Sequence, residues 1–215
     1  TRRSSDLVHS ESERITQLAQ LIHEKTSGNP LFAIQFISTL ADEALLTFDY
    51  GEARWCWDLN RIHAQGYTDN VVDLMMGRLN RLSAETRNAL QKLACLGNDV
   101  GFTTLRIVYQ DSAEEMHGQL WEAVRAGLIF RSDDSYRFLH DRVQEATYSL
   151  IPEESRAEAH LRIGMLLAAQ TPPAKLEETI FEIVNQLNRG SHLISSIEQL
   201  ERVAELNFIA GKRAK

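Results

Sequence analysis

The sequence predicts a mainly α protein with two short β-hairpins. Apolar residues recur at helical spacing through most of the chain, which favours amphipathic helices. Strand-like patterns are confined to two stretches, residues 45–59 and 128–139. From Pro152 onward, every segment between turns has helical spacing. These three observations divide the chain into three regions, at 1–66, 67–151 and 152–215.

The first region begins with two predicted helices. Residues 11–25 carry apolar residues at helical spacing, with Ser12 as the expected N-cap. Gly28 is expected to end this helix, because glycine accepts the left-handed conformation of a C-cap. Pro30 suits the first turn of a second helix, which runs to about Ala44. The expected apolar face of that helix consists of Leu31, Ile34, Ile37 and Leu40.

A β-hairpin is predicted for residues 45–59, where "LLTFD" and "RWCWD" flank the loop "YGEA". Leu46 and Phe48 share one face of the first strand, and Trp55 and Trp57 share one face of the second. We interpret both tryptophans as packing residues, since aromatic side chains favour half-buried strands. The alternative is a patch that contacts another protein.

The second region has the order of elements of a winged helix, in which three helices precede a β-ribbon. "LIFR" and "YRFL" are expected strands joined by the tight polar turn "SDDS". Ser83 is the expected N-cap of the first of the three helices. A turn-rich segment, 64–70, and the helix "VVDLMMGRL" precede them. The expected helices are 83–96, 102–109, 112–126 and, after the ribbon, 141–150.

The third region is expected to be an antiparallel helical arm of TPR-like type, resembling the start of a solenoid. Its helices are predicted at 153–170, 174–189 and 196–212, separated by "TPPAK" and "NRGSH". No internal repeat of fixed period is evident.

Composition limits the possible functions. The net charge of −7 argues against a sequence-independent grip on nucleic acid, which requires Lys and Arg to neutralise phosphates. No run of 18 apolar residues is present, so no membrane contact is expected. No secretory signal is visible, and Cys56 and Cys95 form no CxxC pair. Two isolated thiols suggest a reducing compartment, and we expect a cytoplasmic location. The chain also has the character of a piece of a longer polypeptide.

No catalytic motif is found. The sequence lacks a Walker A loop, a GxSxG elbow and an HExxH pair, and its seven histidines do not form a metal-ligand pattern. His140 and Asp141 are neighbours in sequence, so on a helix they would point in different directions and would not form a catalytic dyad. We expect no enzymatic activity from this chain by itself, and no metal site.

DNA binding through the winged helix is one alternative function. The helix before the ribbon would enter the major groove. It has three acidic residues and only one basic residue, Arg125, and the ribbon turn is also acidic. An acidic face repels the duplex, so a structural or interaction role is favoured. The acidic residues are Glu114, Glu115, Glu122, Asp133 and Asp134.

Two turns carry a resemblance to a known family. "TSGNPLFAIQFI" resembles the helical-lid motif Gly-x-Pro-Leu of STAND-type signal-transduction ATPases, which are relatives of AAA+ proteins. "YRFLHDRVQEATYSLIP" resembles their winged-helix segment, and Leu139, His140 and Asp141 match the "MHD" motif with Leu in place of Met. "YTDNVVDLM" and "EIVNQLNRG" are similar to large bacterial sensors in which serine/threonine-kinase-like, STAND, GAF and histidine-kinase domains share one chain.

The resemblance implies a helical lid at 1–66 and roles for three residues. In these families the lid proline packs by the adenine and the MHD histidine reaches the β-phosphate of ADP, which assigns these roles to Pro30 and His140. Gly28 would permit the tight turn beside the base. A histidine can donate a hydrogen bond to a phosphate and can add positive charge near its pKa. The plainer alternative is that both turns only join and cap helices.

The function expected from the resemblance is nucleotide-dependent signal transduction. ADP or ATP would bind in a full-length parent, and an upstream nucleotide-binding core of the same chain would be the main partner. Because that core carries the Walker motifs, we expect no tight nucleotide binding by this chain. Other signalling domains would contact the helical arm. The remaining alternatives are a DNA-binding regulator fragment and a protein-interaction scaffold with no nucleotide role.

Overall fold

The structure, a computed structural model, describes residues 2–65 and 71–215, with the side chains of 12–30, 32–65 and 75–215. It is mainly helical and contains two small antiparallel sheets. Contacts divide the chain into two compact units, Thr1–Arg81 and Leu82–Lys215. The predicted three-part division, at 1–66, 67–151 and 152–215, stays a prediction.

The first unit contains four helices and one hairpin in its described part. The first helix starts at Arg2, nine residues before its predicted start at residue 11, so Ser12 lies inside it and is not its N-cap. The short third helix was not predicted, although Asp58 caps it by accepting from the backbone N–H of Asn60 and Arg61. The elements are α1 (Arg2–Thr26), α2 (Pro30–Asp42), β1 (Leu46–Asp49), β2 (Arg54–Trp57), α3 (Leu59–Ala64) and α4 (Val71–Arg81).

The hairpin has the predicted strands and the predicted four-residue loop, 50–53. Its register places Leu46 opposite Trp57 and Phe48 opposite Trp55, so the four side chains share one face. The carboxylate of Asp49 organises the loop by accepting from the N–H of Gly51 at 2.8 Å. The hairpin therefore forms a short aromatic surface.

The core of the first unit lies between α1, α2, α3 and the start of β1. It consists of Leu21, Phe36, Leu40, Leu45 and Ile62, with Trp57 partly buried against it. The expected apolar face of α2 is therefore wrong in part. Leu40 is buried, but Ile34 is 58% exposed and Ile37 is 38% exposed. The buried face is centred on Phe36 instead, and the side chain of Leu31 lies outside the described residues.

The turn between α1 and α2 is a Schellman-type C-cap. The N–H of Gly28 donates to the carbonyl of His23 at 3.3 Å, five residues earlier. Ser27 and Gly28 both have positive φ, 49° and 72°. The left-handed conformation predicted for Gly28 is confirmed, but a non-glycine residue shares it. Ser27 therefore carries the conformational cost that glycine would avoid.

Replacing Ser27 with glycine should stabilise the first unit by about 0.5–1 kcal/mol, because glycine adopts positive φ without steric cost. Ser12 offers a matched control, since it is an exposed serine inside the same helix. Ser12→Gly should destabilise the unit by about 0.5 kcal/mol, the difference in helix propensity. Urea unfolding followed by circular dichroism measures both changes. A loss of stability in Ser27→Gly would contradict the cap assignment.

The second unit starts with α5, which Ser83 caps as predicted by accepting from the N–H of Thr86. Its sheet has the strand order β3–β5–β4, and all pairs are antiparallel. The strand β3 was not predicted, because it has three residues and is completed only by pairing with β5. The elements are α5 (Ala84–Leu96), β3 (Asp99–Gly101), α6 (Phe102–Tyr109), α7 (Ala113–Arg125), β4 (Ile129–Arg131), β5 (Ser135–Phe138), α8 (Asp141–Ser149), α9 (Glu153–Gln170), α10 (Pro173–Gly190) and α11 (Ile197–Arg213).

The helices α9 and α10 pack unusually closely through two glycines. A Cβ atom at Gly164 would lie 2.8 Å from both the backbone nitrogen and Cγ of Leu187. A Cβ atom at Gly190 would lie 2.7 Å from Cβ of Leu161 and closer still to the carbonyl oxygen of Ala157. Backbone therefore approaches backbone at both points, and only glycine leaves the required space.

Candidate functional site

The lid-type turn of the sequence lies on the surface of the first unit. Pro30 is the first residue of α2, and both Gly28 and Pro30 are exposed. Asn29 precedes the helix, and its carbonyl accepts from the N–H of Ala33 at 2.9 Å. A Cβ atom at Gly28 would lie 3.1 Å from the ring nitrogen Nε2 of His23. The turn thus presents the apolar face of a proline at the start of a helix, next to a histidine.

His140 is the N-cap of α8, at the junction with β5. Its backbone is extended, and its ring nitrogen Nδ1 accepts from the N–H of Arg142 at 3.1 Å. The carboxylate of Asp141 also contacts Nδ1 and accepts from the same N–H at 2.8 Å. The capping role weighed in the sequence analysis is therefore present.

The two contacts of Nδ1 require different protonation states. With a lone pair on Nδ1, the imidazole accepts from Arg142; with a proton there, it donates to Asp141. In the capping state the proton resides on Nε2, which then is a donor. The side chain of His140 is 40% exposed.

Pro30 belongs to the first unit and His140 to the second. Neither turn contains a charged side chain enclosed by the protein, as a preformed phosphate site would. A shared nucleotide site formed by Gly28, Pro30 and His140 stays a prediction.

A buried polar network in the second unit was missed by the sequence analysis. His160 of α9 is 1% exposed, and Gln186 of α10 is 3% exposed. The ring nitrogen Nδ1 of His160 lies 2.5 Å from the amide oxygen of Gln186, and Nε2 lies 2.9 Å from the hydroxyl of Tyr148. An amide oxygen only accepts, so Nδ1 carries the proton and the Tyr148 hydroxyl donates to Nε2. Packing alone brings these residues together.

The same network closes the C-terminal end of α5. A helix leaves its last four carbonyls without intrahelical donors. Gln186 donates to the carbonyl of Cys95 at 2.8 Å, and Gln144 of α8 donates to the carbonyl of Ala94 at 2.8 Å. The N–H of Gly97 donates to Leu93. Side chains from α8 and α10 thus satisfy a buried helix end and connect both helices to α5 within the second unit.

The stability of the second unit should depend on the protonation of His160. Burial and the nearby Arg189 lower the pKa of this histidine, although its bond to Gln186 opposes the shift. The unfolded state therefore binds the proton first, and the free energy of unfolding should fall as the pH drops below about 6.5. For one histidine the slope is at most about 1.4 kcal/mol per pH unit. Urea unfolding between pH 8 and 5 should show this slope, reduced in His160→Gln; equal slopes would contradict it.

Two of the acidic residues of α7 have structural partners. Glu115 forms a capping box with Ser112, and hydrogen bonds from the Ser112 N–H and hydroxyl lower the pKa of its carboxyl. Glu122 accepts from the N–H of Ser83 at 3.0 Å, which lowers its pKa as well. Both carboxylates therefore stay ionised and add negative charge to the helix that a DNA-binding winged helix would place in the major groove. This disfavours the DNA-binding alternative.

In the described ranges, no group of three histidine, cysteine or carboxylate side chains is arranged to hold a metal ion. No helix there combines the length and the hydropathy needed to cross a bilayer.

Comparison with known proteins yields one distant relative. Over 98% of its length, the chain is 27% identical to the hybrid signal transduction histidine kinase G of Dictyostelium discoideum. The chain spans only 8% of the length of that protein. No family model matches the chain, and no solved structure matches it. The similarity connects the chain with signal transduction, while the organism of this relative lends no support to the expectation of a bacterial protein.

Proposed function

We propose that the chain is a regulatory, nucleotide-sensing segment of a larger signal-transduction ATPase that is linked to a protein kinase. The observation that carries this proposal is the similarity to a histidine kinase. The match covers 98% of this chain but only 8% of the length of that kinase. Such a ratio suits a regulatory segment inside a multidomain sensor. Full-length relatives of this kind would carry the nucleotide-binding core outside the matched part.

The order of elements supports the regulatory part of the proposal. In the second unit, the order α5–β3–α6–α7–β4–β5 and the strand order β3–β5–β4 support the winged helix expected from the sequence, and further helices follow. The first unit is helical with a β-hairpin, like the lid that the resemblance implies. ADP would hold a closed state through Pro30 and His140, and ATP would release it. A ligand shifts such an equilibrium only by contacting the two states differently.

The roles of His140 as cap and as sensor are separable by mutation. Asparagine is one of the best N-cap residues, so His140→Asn should retain the stability of α8 while removing the imidazole N–H. His140→Ala should remove both the helix cap and the imidazole N–H, and it should destabilise the second unit by about 1 kcal/mol. In the longer polypeptide that carries this chain, we expect both variants to lose ADP during purification. The measurement is the nucleotide content of the purified protein by chromatography.

The nearby variant Glu145→Gln is the control, since Glu145 is an exposed residue of the same helix that pairs with Arg142. It should retain ADP as wild type does. If His140→Asn also retains ADP and keeps normal kinase output, His140 is only a helix cap and the sensing role is wrong.

A scaffold without a nucleotide role is the second candidate. The exposed aromatic side chains of the hairpin, Phe48, Tyr50 and Trp55, favour it, because exposed apolar clusters mark protein-contact surfaces. It predicts that the longer polypeptide binds no ADP at all.

A further inference from the structure

The first unit contains a surface groove with a mainly apolar lining. The groove has a volume of about 490 Å³, within the range of known ligand sites. Helix α1, helix α2 and the aromatic face of the hairpin all contribute side chains to its lining. The lining residues are Arg14, Ile15, Leu18, Ile37, Leu46, Arg54, Trp55 and Trp57.

The groove is partly open to solvent. Ile15 is 57% exposed, and Trp55 is 54% exposed. Trp57 packs against the core of the unit, but Trp55 does not belong to that core. The edge-to-face contact of Phe48 with Trp55, at 5.4 Å between ring centroids, holds the exposed indole in place. Exposed, ordered tryptophans are the side chains that most often dominate binding energy at protein interfaces.

The charged groups of the lining are both cationic. Arg14 lies over the ring of Trp57 at 5.2 Å and donates to the carbonyl of Trp57 at 3.1 Å. Both partners are neutral, so the charge of Arg14 is retained. Arg54 lies on the hairpin side and forms an exposed ion pair with Glu52. Among the residues whose side chains the structure describes, no carboxylate lines the groove, so an occupant with acidic flanks is complementary to this part of it.

We propose that this groove binds an acidic amphipathic helix of a partner protein, with apolar side chains between the walls and carboxylates against Arg14 and Arg54. The openness of the groove suits a helix that lays one apolar face into it better than an enclosed small molecule. The site is separate from the predicted nucleotide contacts, and its test does not depend on nucleotide.

The probe is a fluorescein-labelled synthetic helical peptide of about four turns, with leucines at i, i+3, i+4 and i+7 and glutamates beside them. Fluorescence anisotropy with the chain should show saturable binding that weakens with salt. The matched peptide with lysines in place of glutamates should bind at least about tenfold more weakly. Trp55→Ala should weaken binding of the acidic peptide about tenfold or more, and Ile15→Ser should weaken it as well.

The control variant is Trp121→Ala, which removes an indole that is 58% exposed in the second unit and should leave binding unchanged. Exchanging both arginines for glutamine should abolish the preference for glutamate over lysine. The proposal would be overturned if the wild-type chain did not bind the acidic peptide. It would also be overturned if Trp55→Ala, with a normal circular dichroism spectrum, bound the peptide as tightly as wild type. A dimer in sedimentation that Trp55→Ala dissociates would assign the groove to a second copy and would overturn it too.

Discussion

Replacing Gly190 with alanine should destabilise the second unit by about 3 kcal/mol, the upper end of the usual cost of overpacking. The added methyl group would overlap the carbonyl oxygen of Ala157 and would lie 3.0 Å from the backbone nitrogen of Leu161. No side-chain rotation relieves a clash with backbone, so α9 and α10 would have to move apart. Gly164→Ala should cost somewhat less, because two of its three nearest atoms belong to the Leu187 side chain.

Gly211→Ala is the matched control, since it lies in α11 and a Cβ atom there would meet nothing within 4 Å. It should stabilise the unit by up to about 1 kcal/mol, the helix propensity difference between the two residues. Urea unfolding followed by the fluorescence of Trp121 reports on the second unit when Trp55 and Trp57 are replaced by phenylalanine. Equal urea midpoints for Gly190→Ala and Gly211→Ala would show that α9 and α10 are not packed as closely as described.

Replacing Gln186 with leucine should destabilise the second unit by about 2–4 kcal/mol. The change leaves the carbonyl of Cys95 and the Nδ1–H of His160 without their partners, and each buried unsatisfied group costs about 1–3 kcal/mol. The apolar gain of leucine offsets part of this loss. The stabilisation of such a hydrogen-bond network can also exceed the sum of its individual hydrogen bonds.

Gln199→Leu, at an exposed position of α11, serves as the comparison. It should change the stability by less than about 0.5 kcal/mol. The pH dependence adds a second signature, because His160 in Gln186→Leu loses the hydrogen bond that raises its pKa. Its pKa should therefore fall further, which widens the acidic range over which stability is lost. If Gln186→Leu is as stable as Gln199→Leu, the network does not secure the end of α5.

The sequence predicted most helices and the first hairpin because their signals are local. Turn residues and caps such as Ser83 and Asp49 act within a few positions of themselves. The elements that were missed depend on pairing with distant residues, or their ends differ from those that a local capping residue indicated. Strand β3 exists because Val100 pairs with Tyr136, and α1 extends upstream although Ser12 carries the signature of a cap.

The sites divide in the same way. His140 was recognised as a possible cap from its position between strand and helix, and this is its observed geometry. The network of His160 and Gln186 has no sequence signature, because its members come from three helices and from the end of α5. The shared face of the hairpin side chains was predicted correctly. The interpretation of Trp55 as a packing residue was wrong, because its indole is 54% exposed and only Trp57 packs against the core cluster.

The most direct test of a nucleotide site shared by the two turns is hydrogen exchange on the longer polypeptide, with and without ADP. Peptides covering residues 27–33 and 139–143 report on the turns of Pro30 and His140 separately. A shared site predicts that ADP slows exchange in both peptides over the same concentration range. Slower exchange in only one of them, or in neither while ADP is bound, would contradict it.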